Sequence, residues 1–500
     1  MSHVPSTISP VGELHLKREQ RSFFGHPRGL ATLFMTELWE RFSYYGMRAL
    51  LILFMTAPAS RGGLGFPVAK AGAIYGCYTA LVYLMGVPGG WLADRLLGQR
   101  RAVLWGGIII ALGHFTLAIH DLRTFYCGLG LIIAGTGLLK PNMSAMVGAL
   151  YSADDVRRDA GFSIFYIGIN TGALIAPLVC GYLGENFNWH YGFAAAGVGM
   201  ALGLTQYVLG ARHLGSIGLT SHADEADWRA LHRVASAGVL VAVMAVACSW
   251  SGVLRFSVEL IANSVGLLLV VIAAALFVWL FALESHSPEE RRHYWAILVL
   301  FLASSLFWSA YEQAGSTLNL FADRNTNLHA WDVKALWGPF RASYFQSFTS
   351  LYVILLAPLF AWLWTTLRER QPSSTTKFAF GLLFVASGFA ILIPVSRGSV
   401  VSPWWLTLSY LLQTIGELCL SPVGLSTMTK LAPARLGGLI MGAWFLSMSV
   451  GDYIGGRLSG LYESLPLPML FSIVTLFCLL VGVALGLIRT PMRRLMGTVN

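Results

Sequence analysis

The segment Glu37-Leu-Trp-Glu40-Arg41-Phe42-Ser-Tyr44-Tyr45-Gly46-Met-Arg48 sets two carboxylates, two guanidiniums and two phenols inside a run apolar enough to cross a bilayer. A charge at bilayer depth costs at least ~2.5–3.5 kcal/mol on insertion scales, so it is kept where it faces a bundle interior or a wet cavity. On a helix, Glu37, Arg41, Tyr44 and Arg48 share one face, with Glu40 and Tyr45 at its border. Such a stripe can exchange protons on its acids and bind an anion on its arginines. While Glu37 and Glu40 are ionised, Arg41 is paired and partly withheld from a ligand. Protonating one acid removes that competitor, so proton and anion bind better together, and by reciprocity a proton gradient can drive uptake.

Other ionisable residues inside apolar runs are few: Lys140, Glu312, Glu417, Asp452 and Arg457. Arg48 and Lys140 add positive charge to the N-terminal half of the chain, and Glu312 and Glu417 add negative charge to the C-terminal half. A cavity between the halves would be cationic on one wall and anionic on the other. Its natural ligand is a zwitterion, with a carboxylate toward Arg41 and Lys140 and an ammonium toward Glu417 or Glu312. Buried charges need partners. In the empty state Lys140 with Glu417, and Arg48 with Glu312, are expected to satisfy each other across the interface.

The elements that position these residues are membrane helices. The chain has 500 residues, of which 56% are hydrophobic and only 12% charged, with a mean hydropathy of +0.64; a soluble domain carries about 25% charged residues. Apolar runs of about twenty residues, each able to span ~30 Å of hydrocarbon, recur throughout. They predict about fourteen spans, near 29–56, 69–94, 102–120, 124–150, 160–184, 190–210, 235–253, 259–283, 294–322, 341–367, 378–396, 403–430, 436–460 and 467–488. The runs do not alternate as barrel strands would. The expected organisation is a cytoplasmic N-terminal tail (1–28), a six-helix bundle (29–211), a cytoplasmic linker with a two-helix insert (212–293), a second six-helix bundle (294–489) and a cytoplasmic tail (490–500). The tails and alternate connections hold roughly 22 of the 34 Lys and Arg, against roughly 8 on the other side, which predicts both termini in the cytoplasm.

The formal charge of +10 is scattered one loop at a time, which argues against nucleic acid as a partner. The six cysteines form no CxxC pair, and the twelve histidines show no ligand spacing, so no metal is expected. No apolar core marks a cleaved signal peptide in the first 28 residues. No HExxH, GxSxG or aspartate-pair pattern supports an intramembrane peptidase, and an enzyme is not expected. A channel remains a distinct reading, separable by uptake against a gradient.

Six spans, an insert and six more spans give the layout of major facilitator transporters, whose halves rock about a midplane site. The loop Gly90-Trp-Leu-Ala-Asp94-Arg95-Leu-Leu-Gly98-Gln-Arg100-Arg101 resembles that superfamily's cytoplasmic motif, in which acid and basic residues latch the halves. The first span is similar to the ExxERFxYYG signature of proton-dependent oligopeptide transporters. Phe165-Tyr166-Ile-Gly-Ile169-Asn170-Thr-Gly172-Ala-Leu174 resembles the family's FYxxINxGxL. So do Leu138-Leu-Lys140-Pro141-Asn142, Trp308-Ser-Ala-Tyr311-Glu312-Gln313, Gly416-Glu417-Leu-Cys-Leu-Ser421-Pro422-Val-Gly424-Leu425-Ser426 and Trp444-Phe445.

The resemblance implies an all-α, polytopic major facilitator fold in a cytoplasmic membrane and symport of di- and tripeptides with protons. It implies no cofactor beyond the coupling proton, and we expect a functional monomer. It implies that Arg41 and Lys140 hold the peptide C-terminus and Glu417 the amino terminus. Asn170, Tyr45 and Tyr83 would contact the peptide backbone, and Trp308 and Trp444 would line side-chain pockets. Arg48, Glu312 and Ser421 complete the expected substrate site. Glu37, Glu40, Arg41 and Glu312 would couple protons. Arg48 with Glu312 or Asp323 would close the outer gate, and Lys140 with Glu417 the opposite one.

Three positions depart from the family. Phe345-Gln346-Ser347-Phe348-Thr349-Ser350 stands where FQSxNP is common, trading an amide for a hydroxyl and losing a proline, which is expected to straighten that helix. Asp452 stands where a neutral amide is expected, and would pair with Arg457 or titrate. Gly76 replaces the histidine used by animal relatives. The changed Thr349-Ser350 site keeps open an alternative cargo, such as nitrate or an amino acid conjugate.

Overall fold

The computed structural model describes residues 23–152, 155–219, 225, 227–229, 232–233, 236, 257–284, 287–332, 338–398 and 400–497. The apolar run at 235–253 and most of the N-terminal tail lie outside the described residues. The described chain is helical almost throughout: α1 Arg28–Thr56, α2 Val68–Leu97, α3 Gln99–Leu117, α4 Leu122–Ala149, α5 Arg158–Asn186, α6 Trp189–Leu214, α7 Val258–Ala282, α8 Pro288–Asn325, α9 Ala342–Leu367, α10 Ser374–Val395, α11 Pro403–Leu431, α12 Gly437–Ser459, α13 Leu467–Leu487 and α14 Arg489–Met496. Nine of these are long and apolar enough to cross a membrane. Helix α1 carries more charge than a simple span tolerates, because its Glu37, Glu40, Arg41 and Arg48 are all buried in protein.

Local signals place the helix starts. Asp121 accepts from the backbone N–H of Arg123 and Thr124 to cap α4. Ser287 caps α8 ahead of Pro288 at its first position, and Ser257 and Ser373 cap α7 and α10. Prolines 141, 177, 358 and 422 sit inside α4, α5, α9 and α11, where neighbouring helices absorb the lost hydrogen bond. Helix α9 runs without a break through Thr349 and Ser350. Helix α8 breaks at Glu312–Gly315, where one tight turn brings Glu312 into the interior.

One set of helices packs α1 on α5 and α6 and α3 on α4; a second packs α8 on α12 and α10 on α11 and α13. The two sets meet along two seams, α2 against α12 and α5 against α9, and α7 lies outside the first seam touching both of its helices. Glycines set the closeness of that seam: a Cβ on Gly76 would stand 2.9 Å from the Cα of Gly456, and one on Gly72 2.6 Å from the Gly456 carbonyl oxygen. A histidine at position 76 has no room here. Substituting Gly456→Val is expected to cost ~1–3 kcal/mol of overpacking in this closed seam. The check is a cross-linking assay across this seam, in which the variant should shift toward a form with the seam parted while still inserting.

The expected latch in the loop after α2 is not formed. Arg100 donates to the carbonyls of Ala211 and Gly215, both 2.8 Å away, so it ties α3 to the end of α6 within one helix set. Arg95 reaches Asp227 of the linker at 3.9 Å. The loop therefore does not latch the two sets to one another here. Gly98, at φ +75°, makes the tight turn between α2 and α3 that aims Arg100 this way.

Candidate functional site

Helices α1, α2, α4 and α5 from one set and α8, α9, α11 and α12 from the other surround a chamber of about 220 Å³ between the sets. Its lining includes Glu37, Arg41, Tyr45, Arg48, Tyr83, Lys140 and Asn170 on one wall, and Trp308, Glu312, Thr349 and Glu417 on the other.

The α1 stripe forms a buried ion cluster. The Arg41 Nε atom stands 3.3 Å from Glu37 Oε1 and donates a short hydrogen bond to the Glu40 carboxylate, while the guanidinium lies over the Tyr44 ring. Glu37 Oε2, Glu40 Oε1 and one Arg41 terminal nitrogen have no partner. The cluster is therefore only partly satisfied, with spare capacity beside the chamber.

Seven residues along α1, Arg48 crosses to the other set. Its Nη2 pairs with Glu312 Oε2 at 2.6 Å and its Nε donates to the Tyr75 hydroxyl at 2.7 Å. More bonds between the sets lie at this end of the molecule. Asn319 donates to the Ala49 carbonyl at 2.8 Å, the Ser343 amide to Glu185 at 3.1 Å, Arg341 to Asn186 at 2.9 Å, and the Val68 amide to Glu463 at 3.3 Å. These bonds seal one end. At the opposite end no hydrogen bond or ion pair joins the two sets among the described residues. Tyr166 there borders both the chamber and a larger cavity of about 1210 Å³, whose rim carries Arg368, Lys377, Lys430, Arg489 and Arg493.

Lys140 and Glu417 do not pair, contrary to expectation. Lys140 Nζ sits 3.8 Å from the Tyr83 ring centre, and Glu417 accepts a hydrogen bond from the Tyr311 hydroxyl. With the nearby end unsealed, each is met by an aromatic residue of its own helix set. Glu417 is thus the chamber acid without a counter-ion among the described residues, since Glu37 and Glu312 each face an arginine. Asn170 Nδ2 donates to the Tyr166 carbonyl one turn back at 3.0 Å, leaving its side-chain oxygen for the chamber. The Trp308 ring is buried, with its indole N–H unpartnered.

Four expected positions fall elsewhere. Trp444 does not reach the chamber: its ring packs edge-on to Phe378 and flush against Gly424, where a Cβ would collide with it. Ser421 is half-buried on α11 away from the chamber lining. Asp323 is exposed near the end of α8, so the Arg48 guanidinium goes to Glu312 instead. Asp452 makes no pair with Arg457, whose side chain is exposed; both Asp452 carboxyl oxygens are buried without a partner.

Tyr311 and Gln346, which stood in the motifs without an expected role, line the chamber, and Tyr75, which no motif contains, accepts from Arg48 beside it. Tyr311 lies three residues past Trp308 and so on nearly the same helix face, a spacing that would have flagged it. Thr349 lines the chamber beside Ser350. Substituting Thr349→Asn should leave transport equal or improved, because it restores two N–H donors and an acceptor there; complete loss of uptake would show that this wall has been rebuilt around the hydroxyl.

Among described residues no group of three or more His, Cys, Asp or Glu could hold a metal ion. Outside the membrane, Asp155 in the α4–α5 connection is held down to about 2 by hydrogen bonds from the Arg157 side chain and backbone. The stability this contributes is lost only as pH falls through that value, so this loop supplies no pH dependence at neutrality.

Residues 100–470 match the POT family model. The peptide transporter YePEPT of Yersinia enterocolitica is 42% identical over 504 residues, 95% of this chain and 96% of that one. The di-/tripeptide transporter of Lactococcus lactis is 39% identical, covering 97% of this chain and all of the relative. A crystal structure of a peptide transporter POT in complex with sulfate superposes with a TM-score of 0.90 at 43% identity, over 95% of this chain and 97% of the other. A POT family transporter in complex with 5-aminolevulinic acid gives 0.89 at 35% identity, over 95% and 98%. The fold is that of the major facilitator transporters, and the protein is a multi-pass membrane protein of the POT family, a family of transporters.

Proposed function

We propose that this protein carries di- and tripeptides together with protons across the cytoplasmic membrane by alternating access, as a functional monomer with both termini in the cytoplasm. The observation that carries the reading is the chamber itself. Arg41 and Lys140 stand on one wall, and Glu417, an acid with a phenol as its hydrogen-bond partner, stands on the other. A small peptide offers a carboxylate to the first and an ammonium to the second, and each charge-assisted bond is strong when desolvated. Asn170, Tyr45 and Tyr83 are placed to meet the peptide backbone and Trp308 to face a side chain.

The Glu37–Glu40–Arg41 cluster supplies the coupling. A proton on either acid loosens its hold on Arg41, which then binds the peptide carboxylate; reciprocally, a bound peptide raises the affinity for the proton. Arg48–Glu312 closes the outer side. A proton on Glu312 would release Arg48 and open it. The basic rim near Arg368 and Arg489 agrees with a cytoplasmic position for the open end.

The test is uptake of a labelled dipeptide into proteoliposomes with and without an acidic exterior, competed by tripeptides, single amino acids and nitrate. Accumulation above the external concentration, blocked by tripeptides alone, is the expected outcome. Uptake that merely equilibrates would mean a channel. The structural relative bound to 5-aminolevulinic acid, and the Thr349-Ser350 change in the chamber wall, favour one second reading, a different small zwitterion as cargo. Competition by such a compound and not by tripeptides would select it.

A further inference from the structure

Asp452 is buried, with 1% of its surface exposed, and neither carboxyl oxygen has a donor or counter-ion. Its own carbonyl oxygen would lie 3.3 Å from a Cβ on Gly76, so it sits in the α2–α12 seam that holds the sealed end shut. From α2, Tyr75 is near and accepts from Arg48, but its own O–H makes no hydrogen bond to Asp452. From the α8 break comes Glu312, whose negative charge opposes a second one; the fields of Arg48 on α1 and Lys140 on α4 reach it from further off. Arg48 is already spent on Glu312, and Lys140 on the Tyr83 ring. Helix α7 brings only Glu259, at its exposed first turn, α11 brings Glu417, engaged by Tyr311, and Cys77 of α2 lies toward Tyr453 and Arg457.

An ionised carboxylate stripped of water, with no donor and an acid for a neighbour, is far costlier to bury than the neutral acid. An outward-open molecule must part α2 from α12, and that wets Asp452. We infer that Asp452 is a second proton-binding site, filled from the outer water as the seam closes. The proton adds to a carboxylate oxygen before closure and returns to the same side on reopening, since neither oxygen reaches the chamber while the seam is shut. It gates the outer side; the α1 cluster drives transport. The inference rests on the alternating-access reading, but its test needs no substrate.

A label pair reports the seam directly. Arg61→Cys and Asn327→Cys are exposed outer positions, one in each helix set, and are placed in a cysteine-free background in proteoliposomes. The ratio of open to closed distances in the parent, divided by that in Asp452→Asn, should rise with pH by up to about tenfold per pH unit for one linked proton, because the opposite effect of a proton on Glu312 is common to both. Asp452→Asn, already neutral, should not open as pH rises; Asp452→Ser serves if the amide does not insert. A variant that follows the parent curve, or a parent with one distance at every pH, overturns the inference. Failure of dipeptide uptake with the pH-dependent distance intact would strike the proposed cargo and leave Asp452 standing.

Discussion

Replacing Glu417 with glutamine should weaken dipeptide binding by about 1.5–3 kcal/mol, roughly 10- to 150-fold, the range for a hydrogen bond to a charged group. Three acids line the chamber. Glu37 faces Arg41, and Glu312 is held by Arg48 at 2.6 Å. Glu417 alone of the three has a neutral partner, the Tyr311 hydroxyl, and is free in charge to meet an ammonium. Glutamine keeps the shape and can still accept from Tyr311, so the fold should survive. Calorimetric titration with a dipeptide and with its N-acetylated form separates the roles. The free peptide should lose affinity and the acetylated one, already lacking the ammonium, should not. Equal affinity of parent and variant for the free peptide would refute the assignment.

Changing Glu40 to glutamine should abolish gradient-driven accumulation while leaving counterflow exchange in place. Each coupled proton can sustain up to about tenfold accumulation per unit of pH difference, since one unit is worth about 1.4 kcal/mol. Glu40 accepts a hydrogen bond from Arg41 Nε, and Glu37 stands 3.3 Å off. With an amide at position 40, Arg41 no longer waits on a proton to engage a carboxylate. Binding persists and the link to the gradient is cut. Accumulation by the variant at parental levels would move the coupling proton elsewhere, with Glu37 and Glu312 the next acids to test.

Much of this site was legible because the membrane makes charge expensive. Glu37, Glu40, Arg41, Arg48, Lys140, Glu312 and Glu417 stand out in apolar runs for a physical reason, and all but Glu40 line the chamber; Glu40 is buried directly behind Arg41. Aromatic residues carry no such mark. Trp308 and Trp444 look alike in sequence, yet one lines the cavity and the other packs under Gly424. Among eighteen tyrosines, Tyr311 stood in a motif without an expected role and Tyr75 carried no mark at all, although their hydroxyls decide what Glu417 and Arg48 are bonded to.

By itself, then, the order of residues determined the membrane class, the approximate places of the described helices and which charged side chains lie inside apolar runs, because hydrophobic length and the cost of buried charge are local properties of a run. It could not determine which charges meet. Arg48 found Glu312 264 residues away, while Lys140 and Glu417 stayed apart, because pairing between helix sets depends on which end of the molecule is shut. That choice belongs to the packing of α2 on α12 and α5 on α9, where glycines allow an approach that no helical pattern within one segment specifies.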